Sequence, residues 1–201
     1  MPWSCGDPLI DTQDNQSYNT VQINDQCWMA ENLNVGNRVS AYEQSNNGII
    51  EKLCYGEISA NCDQYGGLYE WNEMMNYSTN QNNQGICPQG WRVPMLSEWE
   101  SLISYLGGVS VAGGKLKETG FTHWETPNTD ATNETGFTAF GSGKFEDGYG
   151  FLNQYGNFWT SFINGEDQFM KYVRYNSGVI ETGYSYYDYS NANSVRCIKS
   201  E

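Results

Sequence analysis

The sequence predicts an α+β domain in which two short helices pack on a twisted antiparallel sheet. Three observations lead there. Trp99, Leu102, Ile103 and Leu106 recur at i, i+3, i+4 and i+7 and stop at Gly107-Gly108, which is the spacing and the stop of an amphipathic helix. Leu68, Trp71 and Met75 in "YGGLYEWNEMMNY" form a shorter stripe of the same kind. From about Gly136 onward the chain changes to short segments bounded by Gly and Asn, several of them alternating: "GFTAFGSGKF", "NFWTSF", "FMKYVRYN", "GVIETGYSYYDY" and "NSVRCIK". Helices followed by a run of strands place the helices on one side of an antiparallel sheet.

The remaining elements follow in order. The opening, "DTQDNQSYNTVQINDQCWMAENLNVG", reads as strand, turn, strand, so residues 1–35 are expected to pack onto the rest of a single domain spanning 1–201. Residues 36–65 mix short apolar runs with turn formers and predict little regular structure. Ser97 and Glu100 are placed to form a capping box at the start of the second helix.

A chain of 201 residues can bury one sizeable core. Aromatic residues make up 15% of it, and their large side chains compensate for a modest 38% of hydrophobic residues. The net charge of −14 repels phosphate backbones and anionic lipid, which excludes nucleic acid as a partner. No apolar run approaches the ~18 residues a membrane span requires. The start, "MPWSCGDPLI", has neither a basic region nor a long apolar one, so either a leader has been removed or the chain is a module of a longer protein.

Six cysteines, Cys5, Cys27, Cys54, Cys62, Cys87 and Cys197, include no C-x-x-C pair. They point to three disulfides in an oxidising compartment, hence an extracellular or cell-surface protein. Spacing alone allows about 15 pairings. Nearest-neighbour order favours Cys5–Cys27 and Cys54–Cys62, which leaves Cys87–Cys197.

Catalytic chemistry has little to work with. The single histidine, His123, leaves most general-base and zinc arrangements without a second member, and no G-x-S-x-G elbow is present. Oxidised cysteines offer no thiolate. Glu98 with Glu100, or Glu146 with Asp147, could flank a sugar. However, residues two apart on a helix do not share a face, and neighbours in a turn point apart. "TPNTDATNETG" gathers oxygen donors at Asn128, Asp130, Asn133 and Glu134, which makes a structural calcium ion the one cofactor to look for. In "GYSYYDYSN" a regular strand puts Tyr184 and Tyr186 on one face and Tyr187 and Tyr189 on the other. Only one set can enter a core. The other offers apolar rings beside polar rims, as a glycan or peptide ligand requires. Trp28, Trp71, Trp91, Trp99 and Trp159 are expected in the core.

The order "CWMAENLN", "YGGLYEWNEMM", "CPQGWRVPMLSEWESLISYLGG", "GGKLKETG", "NETGFTAFGSGKF", "NFWTSF", "SVRC" resembles the Fibrobacter succinogenes major paralogous domain from about Asp11 to Lys199. The resemblance implies a module of secreted or surface proteins of Bacteroidetes-type and fibrobacterial organisms, with no general enzymatic activity. More distantly, "WRVPMLSEWE", "GNFWTS" and "SVRC" are similar to motifs of the C-type-lectin-like fold of formylglycine-generating enzymes. That likeness implies chain ends that meet, a geometry a Cys87–Cys197 bridge fits. The sequence departs from these patterns in three places. Met95 stands where the family has a capping Thr or Ser, Thr160 stands where the enzymes have an acidic residue, and their late reactive cysteines are missing.

The sequence is therefore read as a non-catalytic recognition or adhesion module whose ligand is a glycan or a surface protein. A self-assembling surface or filament subunit, and so a homo-oligomer, is the alternative. An enzyme related to the formylglycine-generating group comes third.

Overall fold

The computed structural model describes residues 3–186 and 190–200. It is a mixed α+β fold, mostly sheet with few short helices and three disulfides. Two hairpins open the chain: β1 (Leu9–Ile10) pairs with β2 (Ser17–Tyr18), and β3 (Thr20–Ile23) with β4 (Gln26–Met29). Asn24 closes the second by adopting a left-handed conformation, φ 55°, as Asn readily does in turns. β5 (Asn37–Arg38) then runs parallel to β6 (Glu51–Lys52).

The next elements depart from the sequence reading. α1 (Ser59–Tyr65) falls where little regular structure is expected. Only Cys62 and Tyr65 of it are buried, so no apolar stripe announces it, and the Cys54–Cys62 disulfide pins it in place. The helix expected over "YGGLYEWNEMMNY" contracts to a single turn, α2 (Trp71–Met74), preceded by β7 (Tyr69–Glu70). Leu68 bridges to Leu53, so its segment is extended. Leu68, Trp71 and Met75 are buried as expected, but a strand running into one helical turn is what buries them.

After β8 (Trp91–Arg92), α3 (Leu96–Tyr105) is the helix the stripe predicted, burying Trp99, Leu102 and Ile103. Its cap is not the Ser97–Glu100 box. Met95 holds the N-cap, and the Glu98 carboxylate accepts its backbone N–H at 2.7 Å. The same carboxylate receives both ends of the Arg92 guanidinium, at 2.7 and 2.5 Å, which fixes the helix start ahead of Ser97. α4 (Val109–Leu116) was not expected, because two consecutive glycines inside a helix cost about 1 kcal/mol each. Packing explains them. A Cβ on Gly113 would come within 2.4 Å of the Val179 carbonyl oxygen, and one on Gly114 within 2.4 Å of that of Asp130.

The remaining strands are β9 (Ser142–Phe145), β10 (Tyr149–Leu152), β11 (Tyr155–Asn164), β12 (Asp167–Arg174), β13 (Ile180–Tyr186), β14 (Ala192–Asn193) and β15 (Ile198–Lys199). One sheet runs β13-β12-β11-β9-β14-β7, with β10 hydrogen-bonded to β9. The other runs β3-β4-β15-β8. The last strand therefore sits between one from the N-terminal hairpin and one from the middle of the chain. Cys87–Cys197 bolts this junction, and Cys5–Cys27 and Cys54–Cys62 complete the pairing that nearest-neighbour order favours. Thiol titration of the native protein is accordingly expected to detect no free cysteine among the six. No helix among the described residues is long and apolar enough to cross a membrane.

The five tryptophans assigned to the core are all buried, and Trp124 joins them. Trp28, Trp99, Phe137 and Phe158 stack against one another under α3, with Trp28 and Trp99 ring centroids 4.8 Å apart. Two cations, Arg196 and Lys117, are completely buried, and among the described residues neither makes an ion pair. Arg196 is fully buried: it donates to Asn32 Oδ1 at 2.6 Å, to the Thr138 carbonyl at 2.8 Å and to the Met29 and Phe137 carbonyls, and its guanidinium lies 4.5 Å from the Phe137 ring centroid. Burial pulls its pKa down to about 9. Lys117, equally buried, donates to the carbonyls of Thr129, Arg174 and Ser177 at 2.8–2.9 Å and so ties the loop around residue 129 to the end of β12.

Candidate binding cleft

Three segments far apart in sequence meet at one corner of the larger sheet. The first is β13, an edge strand. Its alternation exposes Tyr184 and Tyr186, at 55% and 54%, and turns Ser185 inward. The two rings share a face as the spacing predicts; which face lies outward is what the spacing leaves open. The rings continue a row across the strands: Phe162 to Phe169 at 4.9 Å, Phe169 to Tyr184 at 6.1 Å, Tyr184 to Tyr186 at 5.6 Å. Tyr187 and Tyr189 lie outside the described residues. The second segment is the β9–β10 turn. There Asp147 takes φ 53°, closing the hairpin and presenting Glu146 and its own carboxylate at the tip.

The third segment is the loop before β6, which carries Tyr42 at φ 68°, a conformation uncommon for a bulky residue. Such strain costs on the order of 1–3 kcal/mol and persists only where its surroundings fix it. Here the Tyr42 ring packs edge-on against Phe145 at 5.1 Å, and its hydroxyl points at Asp147 Oδ1, 3.5 Å away. The strained backbone holds an aromatic ring that stays 62% exposed.

Together these groups enclose a cleft of about 550 Å³, with Ser185, Ser190 and Asn191 completing its wall. Asn191 is buried; its amide donates to Ser185 Oγ, and its Oδ1 has no partner among the described residues. The cleft thus combines exposed aromatic rings with hydrogen-bond acceptors, and no lysine or arginine is among the described residues that line it. A smaller hollow of about 300 Å³ lies between Gln16, Asn32, Asn34 and Gly66. Its wall groups bond to one another: Gln16 Nε2 to the Asn34 carbonyl at 2.9 Å, Asn32 Nδ2 to that of Tyr65 at 2.8 Å.

The four residues considered for calcium spend their side chains on different partners. Asn128 Nδ2 donates to the carbonyls of Glu118 and Gly120 at 2.9 and 2.8 Å, while its Oδ1 is buried and unpartnered. Asp130 lies against Gly178. Asn133 closes a turn by exchanging hydrogen bonds with Thr138, and Glu134 pairs with Lys115 at 2.9 Å. Among the described residues, no group of three His, Cys, Asp or Glu side chains is arranged to hold a metal ion. Thr160 is buried and donates to the Phe169 carbonyl at 2.9 Å. His123 pairs with Glu118 at 2.8 Å beside the Tyr65 and Phe140 rings. Of the carboxylate pairs, Glu98 is committed to Arg92 and the α3 cap, and Glu146 and Asp147 share the turn tip that borders the cleft.

A family model described as the Fibrobacter succinogenes major domain matches residues 21–199. The chain belongs to that family. No curated protein and no solved structure matches it. Every described residue of the cleft falls within the matched span of this Fibrobacter succinogenes major domain, as do Lys117 and Arg196, whereas Cys5 and the first hairpin precede it.

Next to the cleft, β7 and α2 bring Glu70 and Glu73 together. Burial raises both carboxyl pKa values; for Glu70 the charge of Glu73 adds to the effect, and for Glu73 that of Glu51 does. Burial also raises that of Asp11. A carboxyl whose folded pKa exceeds its unfolded value binds a proton first in the folded state. Stability is therefore gained as pH falls through the folded pKa, and the gain is complete below the unfolded value. The thermal midpoint is expected to rise as pH is lowered from 7 to about 5. A flat or falling midpoint over that interval would contradict the assignment.

Proposed function

We propose that this domain is a non-catalytic, extracellular recognition module of C-type-lectin-like architecture that binds carbohydrate in the Tyr42–Tyr184–Tyr186 cleft. The observation that carries the reading is a cleft whose exposed rings come from separate segments and whose rim is rich in acceptors. A pyranose ring offers an apolar face to an aromatic ring and hydroxyl donors to carboxylate and amide oxygens, so the lining matches it group for group. Three disulfides fit an oxidising compartment, and the seating of β15 between β4 and β8 supports an architecture whose ends join.

Binding of the purified domain to a glycan array and to insoluble polysaccharides tests the proposal. Tyr184→Ala removes an exposed ring without opening the core and is expected to weaken the best binder about tenfold, the loss of one aromatic stacking contact. Tyr42→Ala should do the same. Absence of any glycan binding, or binding indifferent to both substitutions, would refute the proposal.

One observation favours a second reading, self-assembly. β13 is a sheet edge among the described residues, and it carries part of the Phe162–Phe169–Tyr184 row. Concentration-dependent association in analytical ultracentrifugation, reversed by Tyr184→Ala and unaffected by glycans, would favour that reading.

A further inference from the structure

The ligand class can be narrowed, an inference that rests on the carbohydrate reading above. We propose that the cleft selects glycans carrying free, protonated amino groups over neutral or acidic ones. The cleft presents tyrosine rings at Tyr42, Tyr184 and Tyr186 and carboxylates at Glu146 and Asp147; among the described residues its wall holds no cation, and the buried Asn191 Oδ1 has no donor.

Glu146 is half spoken for, because Lys144 pairs with it from outside the cleft, where the lysine also lies 5.6 Å from the Phe151 ring centroid. Asp147 has no such partner. Among the described residues it makes no ion pair, and the Tyr42 hydroxyl at 3.5 Å is too distant for a strong hydrogen bond. An open carboxylate beside a tyrosine face is the arrangement that attracts an ammonium group, through its charge and through the ring quadrupole together. Asn191, a buried residue of the wall, keeps an Oδ1 without a partner among the described residues, an acceptor that a ligand N–H or O–H would satisfy. An acidic sugar meets the opposite field, in a protein already at −14.

The test compares short β-1,4-linked glucosamine oligomers with their fully N-acetylated counterparts by calorimetric titration. The two share ring, linkage and hydroxyls, and differ in charge. The free-amine oligomer is expected to bind about tenfold tighter, an advantage that shrinks as salt is raised. Asp147→Asn should close the gap between the two oligomers. Asp25→Asn, on the β3–β4 turn of the other sheet, should leave the gap intact and separates a local site from diffuse attraction to an acidic protein.

Equal affinities for the two oligomers would overturn the selectivity and leave the carbohydrate reading standing. A gap that survives Asp147→Asn, or closes equally in Asp25→Asn, would overturn it as well. A lysine tetrapeptide that binds tighter than the glucosamine oligomer, with the same dependence on Tyr184 and Asp147, would overturn it in favour of a cationic peptide. If neither these oligomers nor any arrayed glycan binds, the proposed function itself fails.

Discussion

Arg196→Met is expected to lower the unfolding free energy by about 4 kcal/mol, as judged from urea midpoints under oxidising conditions. Methionine fills much of the same volume, so a cavity is not the main cause. The loss comes from the acceptors left behind. Asn32 Oδ1 and the Met29, Phe137 and Thr138 carbonyls all converge on this guanidinium in a dry interior, and each unpaired buried acceptor costs about 1–3 kcal/mol before relaxation. These acceptors come from the end of β4 and the segment after it, and from the loop before β9, so Arg196 joins the two sheets as well as filling a hole. Domains of this size are stable by roughly 5–15 kcal/mol, so the variant should be close to unfolding at physiological temperature. A midpoint within a few tenths of a molar of wild type would show that the guanidinium does not bear this load.

Removing the Cys87–Cys197 bridge by double serine substitution is expected to cost on the order of 4–5 kcal/mol, because it releases a loop with a sequence separation of 110. The Cys54–Cys62 bridge spans a separation of only 8, and on the same chain-entropy argument its loss should cost about 2.5 kcal/mol. The order of the two effects is the sharper test. If the short loop proved the more costly, closure entropy would not be what these bridges supply, and strain relief or local packing around α1 would take its place.

The sequence was most legible where one residue pattern had one physical use. The α3 stripe and the pairing of Tyr184 with Tyr186 on one strand face each follow from a period of 3.6 or 2 laid against a single core. It was least legible where a distant segment decides the local structure. Gly113-Gly114 looks like a helix break until Val179 and Asp130 are seen pressing on it. Leu68 looks helical until Leu53 pairs with it. The capping position at Met95 makes sense only once Glu98 is seen reaching back from within the helix.

Of the cleft, the tyrosines of β13 were visible in advance and Tyr42 was not. Its partner Asp147 lies 105 residues away, and nothing around "SAYEQSNNG" distinguishes it from any other surface tyrosine. Arg196 and Lys117 were hidden for a related reason. Charged residues default to the surface, and only the assembled carbonyl cages show why these two do not.

The central claim is that a ligand enters at this corner of the sheet. Backbone amide shifts in a nuclear magnetic resonance titration of the labelled domain with a glucosamine oligomer test it most directly. Perturbations are expected to cluster at Tyr42, Glu146, Asp147, the residues from Tyr184 to Tyr186, and Asn191, leaving the β3–β4 turn and α3 unmoved. Saturable shifts centred on any other surface, or a spectrum unchanged at millimolar ligand, would contradict it.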